Sequence, residues 1–190
     1  TSLSTNGKRV VVKVGTAVLT GPDGLLETGN LRRIAEEIAG LHQAGHDVLL
    51  VTSGAIGAGA ARLGLRQRPG SLREKQACAA VGQTALMHLY EDTFKKAGIL
   101  VGQVLLTRED LGDRDRSTNV RHTLLELLKR RVIPIINEND TVAVEEIKFG
   151  DNDTLSALVA SKVEANLLIL LTDVDGLMQD PDSPASWIIQ

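Results

Sequence analysis

The segment RVVVKV at residues 9–14 decides the fold class, because it is short, rich in valine and followed at once by Gly15. A β-branched run bounded by glycine predicts a β-strand. Valine falls on both sides of that strand, which is typical of a strand buried on both faces. We therefore predict a sheet covered by helices on each side.

Further apolar runs alternate along the chain with segments of helical period. Leu31, Ile34, Ile38 and Leu41 are spaced by three and four residues, which places them on one face of a helix. The other predicted strands are residues 48–51, 99–106, 132–136 and 167–171, and the other predicted helices are 71–96, 117–130 and 151–163. This alternation predicts an α/β protein, a three-layer α/β/α sandwich with a mainly parallel central sheet.

Composition excludes several classes of protein. The 190 residues include 21 Lys and Arg against 24 Asp and Glu, a net charge of −3, which argues against a nucleic-acid partner. The single cysteine, Cys78, excludes an internal disulfide framework. The longest aliphatic run, residues 167–171, is too short to cross a bilayer, so we expect no membrane partner and a cytoplasmic location.

Ligands of parallel sheets gather beyond the carboxyl ends of the strands. The segments that follow four of the predicted strands are small or polar: residues 15–16, 52–54, 137–140 and 172–173. We predict that the functional site is built from these segments.

Lys13 lies within a predicted buried strand, where an ammonium group is costly without an anionic partner. Gly15 beside it would let a backbone N–H approach a phosphate closely. The alternative is an edge-strand lysine that reaches water.

The glycine-rich loop TSGAIGAG at residues 52–59 lies between a predicted strand and a helix, a place that favours an anion. The alternative is a loop in which glycine only permits tight packing. Its spacing fits neither a dinucleotide fingerprint nor a P-loop, and Ser53 is not in a G-x-S-x-G elbow.

Carboxylates and amides are concentrated at residues 137–140 and 145–153. Neighbouring carboxylates repel, so a counter-charge is needed, and Lys148, Mg²⁺ or the ammonium of a bound amino acid could supply it. The amides offer both donors and acceptors, as recognition of a zwitterion requires. The alternatives are an acidic surface loop and a helix cap at residues 151–153.

The turn at residues 172–177 is equally compatible with an ordinary loop. The four histidines show no metal-ligand spacing, so we predict no metal site formed by the protein's own side chains.

Six stretches of the chain together resemble the glutamate 5-kinases, within the amino acid kinase family. They occur in the order expected for that family, at residues 11–16, 51–56, 80–83, 102–107, 136–140 and 150–157. The resemblance implies transfer of the ATP γ-phosphoryl group to the side-chain carboxylate of L-glutamate, the first step of proline biosynthesis. It also implies Mg²⁺, a homo-oligomer and, commonly, feedback inhibition by proline.

The resemblance assigns roles residue by residue. Lys13 corresponds to a catalytic lysine that contacts the transferring phosphoryl group of ATP, and Asp151 to a catalytic residue that organises its loop. The other ATP-binding positions are Gly15, Thr16, Thr172 and Asp173. The glutamate-binding positions are Ser53, Gly54, Asn137, Asp140 and Asn152.

Family kinases continue with a glycine-rich nucleotide-binding element that residues 1–190 lack. We therefore expect one amino acid kinase domain, with the glutamate-binding part complete, the nucleotide-binding part truncated and no second domain. Two alternatives are a sister kinase, such as an N-acetylglutamate kinase, and an inactive fragment that senses glutamate or proline.

Overall fold

The computed structural model describes residues 7–21, 26–65, 67, 69–142 and 152–173. The strands of this part are β1 (Arg9–Val14), β2 (Asp47–Thr52), β3 (Val101–Leu106), β4 (Ile133–Glu138) and β5 (Leu167–Leu171). The helices are α1 (Thr16–Leu19), α2 (Thr28–Gln43), α3 (Ala55–Arg62), α4 (Leu72–Lys96), α5 (Arg108–Gly112), α6 (Arg114–Lys129) and α7 (Asn152–Lys162). Within the described ranges, no helix combines the length and apolar character that a membrane span requires.

The strands form one sheet in the order β3-β4-β2-β1-β5, and each neighbouring pair is parallel. The predicted α/β fold with a parallel central sheet is confirmed. Because all five described strands run the same way, their carboxyl ends lie along one edge of the sheet, where the predicted site segments follow them.

Two apolar layers cover the sheet, as the valines of β1 predict. Val10 and Val12 face a cluster that includes α2 and α4, with Tyr90 and Phe94 completely buried. Val11 faces the opposite cluster, formed largely by α6 and α7. Alternation along a single strand therefore assigns each helix layer to its face.

Helix boundaries follow the capping rules. Ser71 and Glu74 form the predicted capping box at the start of α4, each side chain accepting a hydrogen bond from the other's backbone N–H. Gly45 and Gly98 adopt positive φ angles of 94° and 70° just beyond the ends of α2 and α4.

Strand β4 is longer than its apolar run predicts. It extends through Asn137 and Glu138, which pair with Leu105 and Leu106 of β3. The expectation that both residues follow the strand is therefore wrong. The ladder with β3 continues after the apolar run ends, and it holds the Asn137 side chain in the interior at 2% exposure.

Helices α3 and α4 cross in backbone contact. A Cβ added at Gly82 would lie 1.7 Å from the carbonyl oxygen of Ala55, and one added at Gly59 would lie 1.8 Å from that of Cys78. No side chain larger than hydrogen fits at either crossing. Cys78 is buried in this contact, as the sequence predicts.

We predict opposite effects for two glycine substitutions. Gly82→Ala should destabilise the fold by about 1–3 kcal/mol or more, because the backbone of α3 must move away. A Cβ added at Gly40, in α2, would meet no atom within 4 Å. Gly40→Ala should therefore stabilise the fold by about 0.5–1 kcal/mol, because alanine lowers the conformational entropy of the unfolded chain. Urea unfolding of both variants measures the difference, and equal effects would contradict the crossing geometry.

The amino ends of the strands carry a charged cluster around His42. The Arg131 side chain donates to the backbone carbonyl oxygens of His42 and His46. Asp47 forms ion pairs with two arginines. Its Oδ1 lies 3.7 Å from Arg131 Nη1, and its Oδ2 lies 3.2 Å from Arg9 Nη2. Burial lowers the pKa of His42, and the Arg131 charge lowers it further, while Asp47 opposes them. His42 is thus a buried group at the end of α2, not only a polar helix terminus.

The depressed pKa predicts a loss of stability in mild acid. As the pH falls below the ordinary histidine value of about 6.5, the unfolded chain binds a proton at position 42 that the native chain does not. The free energy of unfolding should therefore decrease from about pH 6.5 downwards. Denaturant unfolding at several pH values should show a shallower decrease for His42→Gln, whereas the exposed control His122→Gln should keep the wild-type slope.

Candidate functional site

Lys13 lies inside the sheet with only 4% of its surface exposed. Its Nζ is 2.6 Å from Asp153 Oδ1, in the first turn of α7. The sequence prediction that this lysine requires an anionic partner is correct, and the partner is a carboxylate of the acidic segment at residues 145–153. A buried ammonium is tolerated here because it is paired.

The absence of a side chain at Gly15 leaves space beside the buried Lys13 ammonium. A Cβ at this position would lie 3.1 Å from Lys13 Nζ. The Gly15 N–H already donates to the carbonyl oxygen of Leu171, at 3.2 Å. That N–H is therefore engaged within the fold, and the expectation that Gly15 lets a backbone N–H approach a phosphate stays a prediction.

Asn152, the first residue of α7, connects three segments. Its Nδ2 donates to the Thr52 carbonyl oxygen at 2.7 Å, to Ser53 Oγ at 2.7 Å and to Asn137 Oδ1 at 3.2 Å. The helix that supplies Asp153 to Lys13 therefore also fixes the loop after β2 and the end of β4.

The side-chain amide of Asn137, which accepts from Asn152, is itself held by a further amide. Asn137 Nδ2 donates to Gln83 Oε1 of α4 at 2.9 Å, and Gln83 Nε2 faces Gln103 Oε1 of β3 at 3.4 Å. Because its Nδ2 faces Gln83, Asn137 directs its Oδ1 toward Asn152. That oxygen also accepts the Glu138 N–H at 2.9 Å.

The end of β2 is held by a hydrogen bond to Tyr90 of α4. Its hydroxyl lies 2.8 Å from Thr52 Oγ1, and both residues are fully buried. Burial raises the pKa of Tyr90, so its hydroxyl keeps its proton. Thr52 Oγ1 donates to the Ser53 carbonyl oxygen at 3.2 Å, which leaves Tyr90 as the donor to Thr52.

A cavity of about 350 Å³ opens beside these groups. Its polar lining comes from the ends of strands β1, β2 and β4 and from the first turns of helices α4 and α7. The residues that line it are Thr16, Ser53, Gly54, Ala55, Ile56, Gly57, Lys75, Asn137, Glu138, Asp140 and Asn152. Gly54 adopts φ 96° before α3, a conformation that L side chains rarely adopt.

The structure brings most of the sequence-predicted residues to this cavity. Thr16 and all five predicted glutamate-binding positions line it. Lys13 and Gly15 are not among the lining residues, and Lys13 is connected to the cavity through Asp153, the residue after Asn152. Thr172 instead lines a groove of about 600 Å³ between α2 and β5, and Asp173 is exposed beyond it. Asp151, together with residues 145–150, lies outside the described residues.

Sequence reasoning assigned no individual role to Asp153, Gln83 or Lys75. Asp153 lay in the acidic segment at residues 145–153, Gln83 in a stretch that resembles the family, and Lys75 in the first turn of a predicted helix. Their contacts depend on which helix crosses which strand, which local patterns do not determine.

This fold and site define the class of the protein. The amino acid kinase family model matches residues 8–186, so the chain belongs to the amino acid kinase family.

Within this family, the chain is similar to curated proteins that share one name. The chain is 59% identical over 170 residues to a protein named glutamate 5-kinase from Moorella thermoacetica. It is 56% identical over 172 residues to one from Clostridium acetobutylicum, and 56% identical over 187 residues to one from Symbiobacterium thermophilum. These matches cover 90%, 90% and 95% of this chain, but the chain spans 45%, 64% and 71% of those relatives.

The amide chain yields a test with a matched control. Gln83→Leu leaves Asn137 Nδ2 buried without its acceptor, so the free energy of unfolding should fall by about 1–3 kcal/mol. The same change at the exposed Gln43 should cost less than about 0.5 kcal/mol. Urea unfolding compares them, and a similar small loss at both positions would show that Gln83 does not support Asn137.

Proposed function

We propose that this protein transfers the γ-phosphoryl group of ATP to the side-chain carboxylate of L-glutamate. The observation that carries the proposal is the buried Lys13 ammonium, which is paired with Asp153 directly after Asn152, a residue of a cavity lined with amides and carboxylates. The names of the relatives, together with the family membership, support the same reaction.

The substrate carboxylate is already an anionic nucleophile, so the reaction needs no general base. The difficulty is to hold two anions in line while negative charge spreads over the transferred group. A positive charge about 4 Å from that group, at an effective dielectric constant of about 20, supplies roughly 4 kcal/mol of attraction. We assign that role to Lys13, with Asp153 as a positioning residue that holds its Nζ.

Glutamate would occupy the cavity. Asn152 and Ser53, joined by a hydrogen bond, line this cavity, and Asn152 directly precedes Asp153, the partner of Lys13. Asp140 offers a carboxylate to the substrate ammonium, and Asn137 sets the orientation of Asn152 from behind. Gly54 lets the chain turn into α3 without covering the cavity.

ATP would approach from the ends of β1 and β5. The Gly15–Leu171 hydrogen bond joins the two strand ends, which places the Thr16 and Thr172 segments side by side. We assign Gly15, Thr16, Thr172 and Asp173 to ATP, and Asp151 to the organisation of its loop, on the family resemblance.

Mg²⁺ would arrive with the nucleotide. In the described part of the chain, no group of three or more His, Cys, Asp or Glu side chains is placed to hold a metal ion. Mg²⁺ commonly binds through substrate phosphates with one or two carboxylates, and there it neutralises phosphate charge. We further propose a cytoplasmic homo-oligomer inhibited by proline at the glutamate site.

The first test replaces the lysine. In the complete natural polypeptide, Lys13→Met should lower kcat by about 10²–10³, as expected for one lost donor to transition-state charge. Lys96→Met, an exposed position in the last turn of α4, should leave kcat unchanged. ADP release with saturating ATP and glutamate measures both, and an effect confined to KM would contradict a transition-state role.

Substrate comparison separates the alternatives. Glutamate, N-acetylglutamate and aspartate are offered in turn, and ADP release should depend on glutamate. Release that depends instead on N-acetylglutamate would identify a sister kinase. Thermal stabilisation by glutamate without any ATP turnover would identify a sensor.

A further inference from the structure

The charged side chains on the cavity wall are unequally divided. Among the described residues that line the cavity, Lys75 is the one basic side chain, whereas Glu138 and Asp140 are acidic. Lys75 lies in the first turn of α4 and is partly buried. Neither the family resemblance nor the reaction derived above assigns it a role.

A glutamate molecule brings two carboxylates and one ammonium into this cavity. Its side-chain carboxylate must lie toward Lys13, at the β1 end, for phosphoryl transfer to occur. The ammonium can be met by Asp140. The α-carboxylate then requires a second cation, because an anion beside Glu138 and Asp140 is otherwise repelled.

Lys75 is at the correct end of the cavity to supply that cation. Gln83, on the same helix, touches Asn137 in β4. Lys75 is eight residues earlier, about 12 Å further along the helix axis. Lys75 lines the cavity together with Glu138 and Asp140 at the carboxyl end of β4, and β2 separates β4 from β1 and Lys13.

We propose that Lys75 binds the α-carboxylate of the amino-acid substrate and thereby selects ligands in which that group is free and charged. This inference rests on the proposed function, because it assumes that glutamate occupies the cavity. Lys13 and Lys75 then hold the two carboxylates of one ligand from opposite ends, so the cavity recognises the distance between them.

The test compares glutamate with L-isoglutamine, its α-amide, which keeps the ammonium and the side-chain carboxylate. Calorimetric titration of the complete polypeptide should show glutamate binding about ten- to a hundredfold more tightly, as expected for loss of one charge-assisted hydrogen bond. Lys75→Met should weaken glutamate binding by a similar factor and isoglutamine binding by less than about twofold. The preference should then disappear.

Two variants control the result. Lys95→Met removes the same charge from an exposed position on the same helix and should keep the wild-type preference. Lys75→Arg should retain most of it, because a cation remains. A wild-type protein that binds both ligands equally, or a Lys75→Met protein that weakens both equally, overturns the proposal while glutamate binding stands. A wild-type protein that binds neither ligand overturns the proposed function as well.

Discussion

The ion pair between Lys13 and Asp153 is the interaction on which the site depends. An ammonium within a parallel sheet is stable only if a carboxylate reaches it, and the first turn of α7 delivers that carboxylate from the adjacent layer. The same turn presents Asn152 to the end of β2. One helix start therefore fixes both the Lys13 ammonium and the loop that follows β2.

The amides behind this pair form a chain with a single direction. Asn152 donates to Asn137, Asn137 donates to Gln83, and Gln83 donates toward Gln103. Reversal of any one amide would place two donors or two acceptors against each other. Hydrogen bonds in such a series polarise one another, so the chain holds its orientation without introducing a net charge into the interior.

Much of the fold follows from local sequence patterns, and part of the site does not. The bounds of β1 and β5 and the capping box of α4 were predictable, because valine runs, glycine stops and the Ser71–Glu74 pattern act over a few residues. The extension of β4 to Glu138 was not, because partner strand β3 holds polar residues in the ladder. The pairing of Lys13 with Asp153 depends likewise on tertiary packing.

The bare crossing of α3 and α4 has a consequence for how this cavity could change during evolution. At Gly59 and Gly82 the backbones of α3 and α4 are in direct contact, so no side-chain rotamer can change to let one helix shift against the other. The two helices therefore form one rigid unit. The cavity wall formed by Ser53 and Gly54 leads directly into α3 and belongs to this unit. A ligand of another length would have to be accommodated by substitution of the side chains that line the cavity, and not by a shift of α3 against α4.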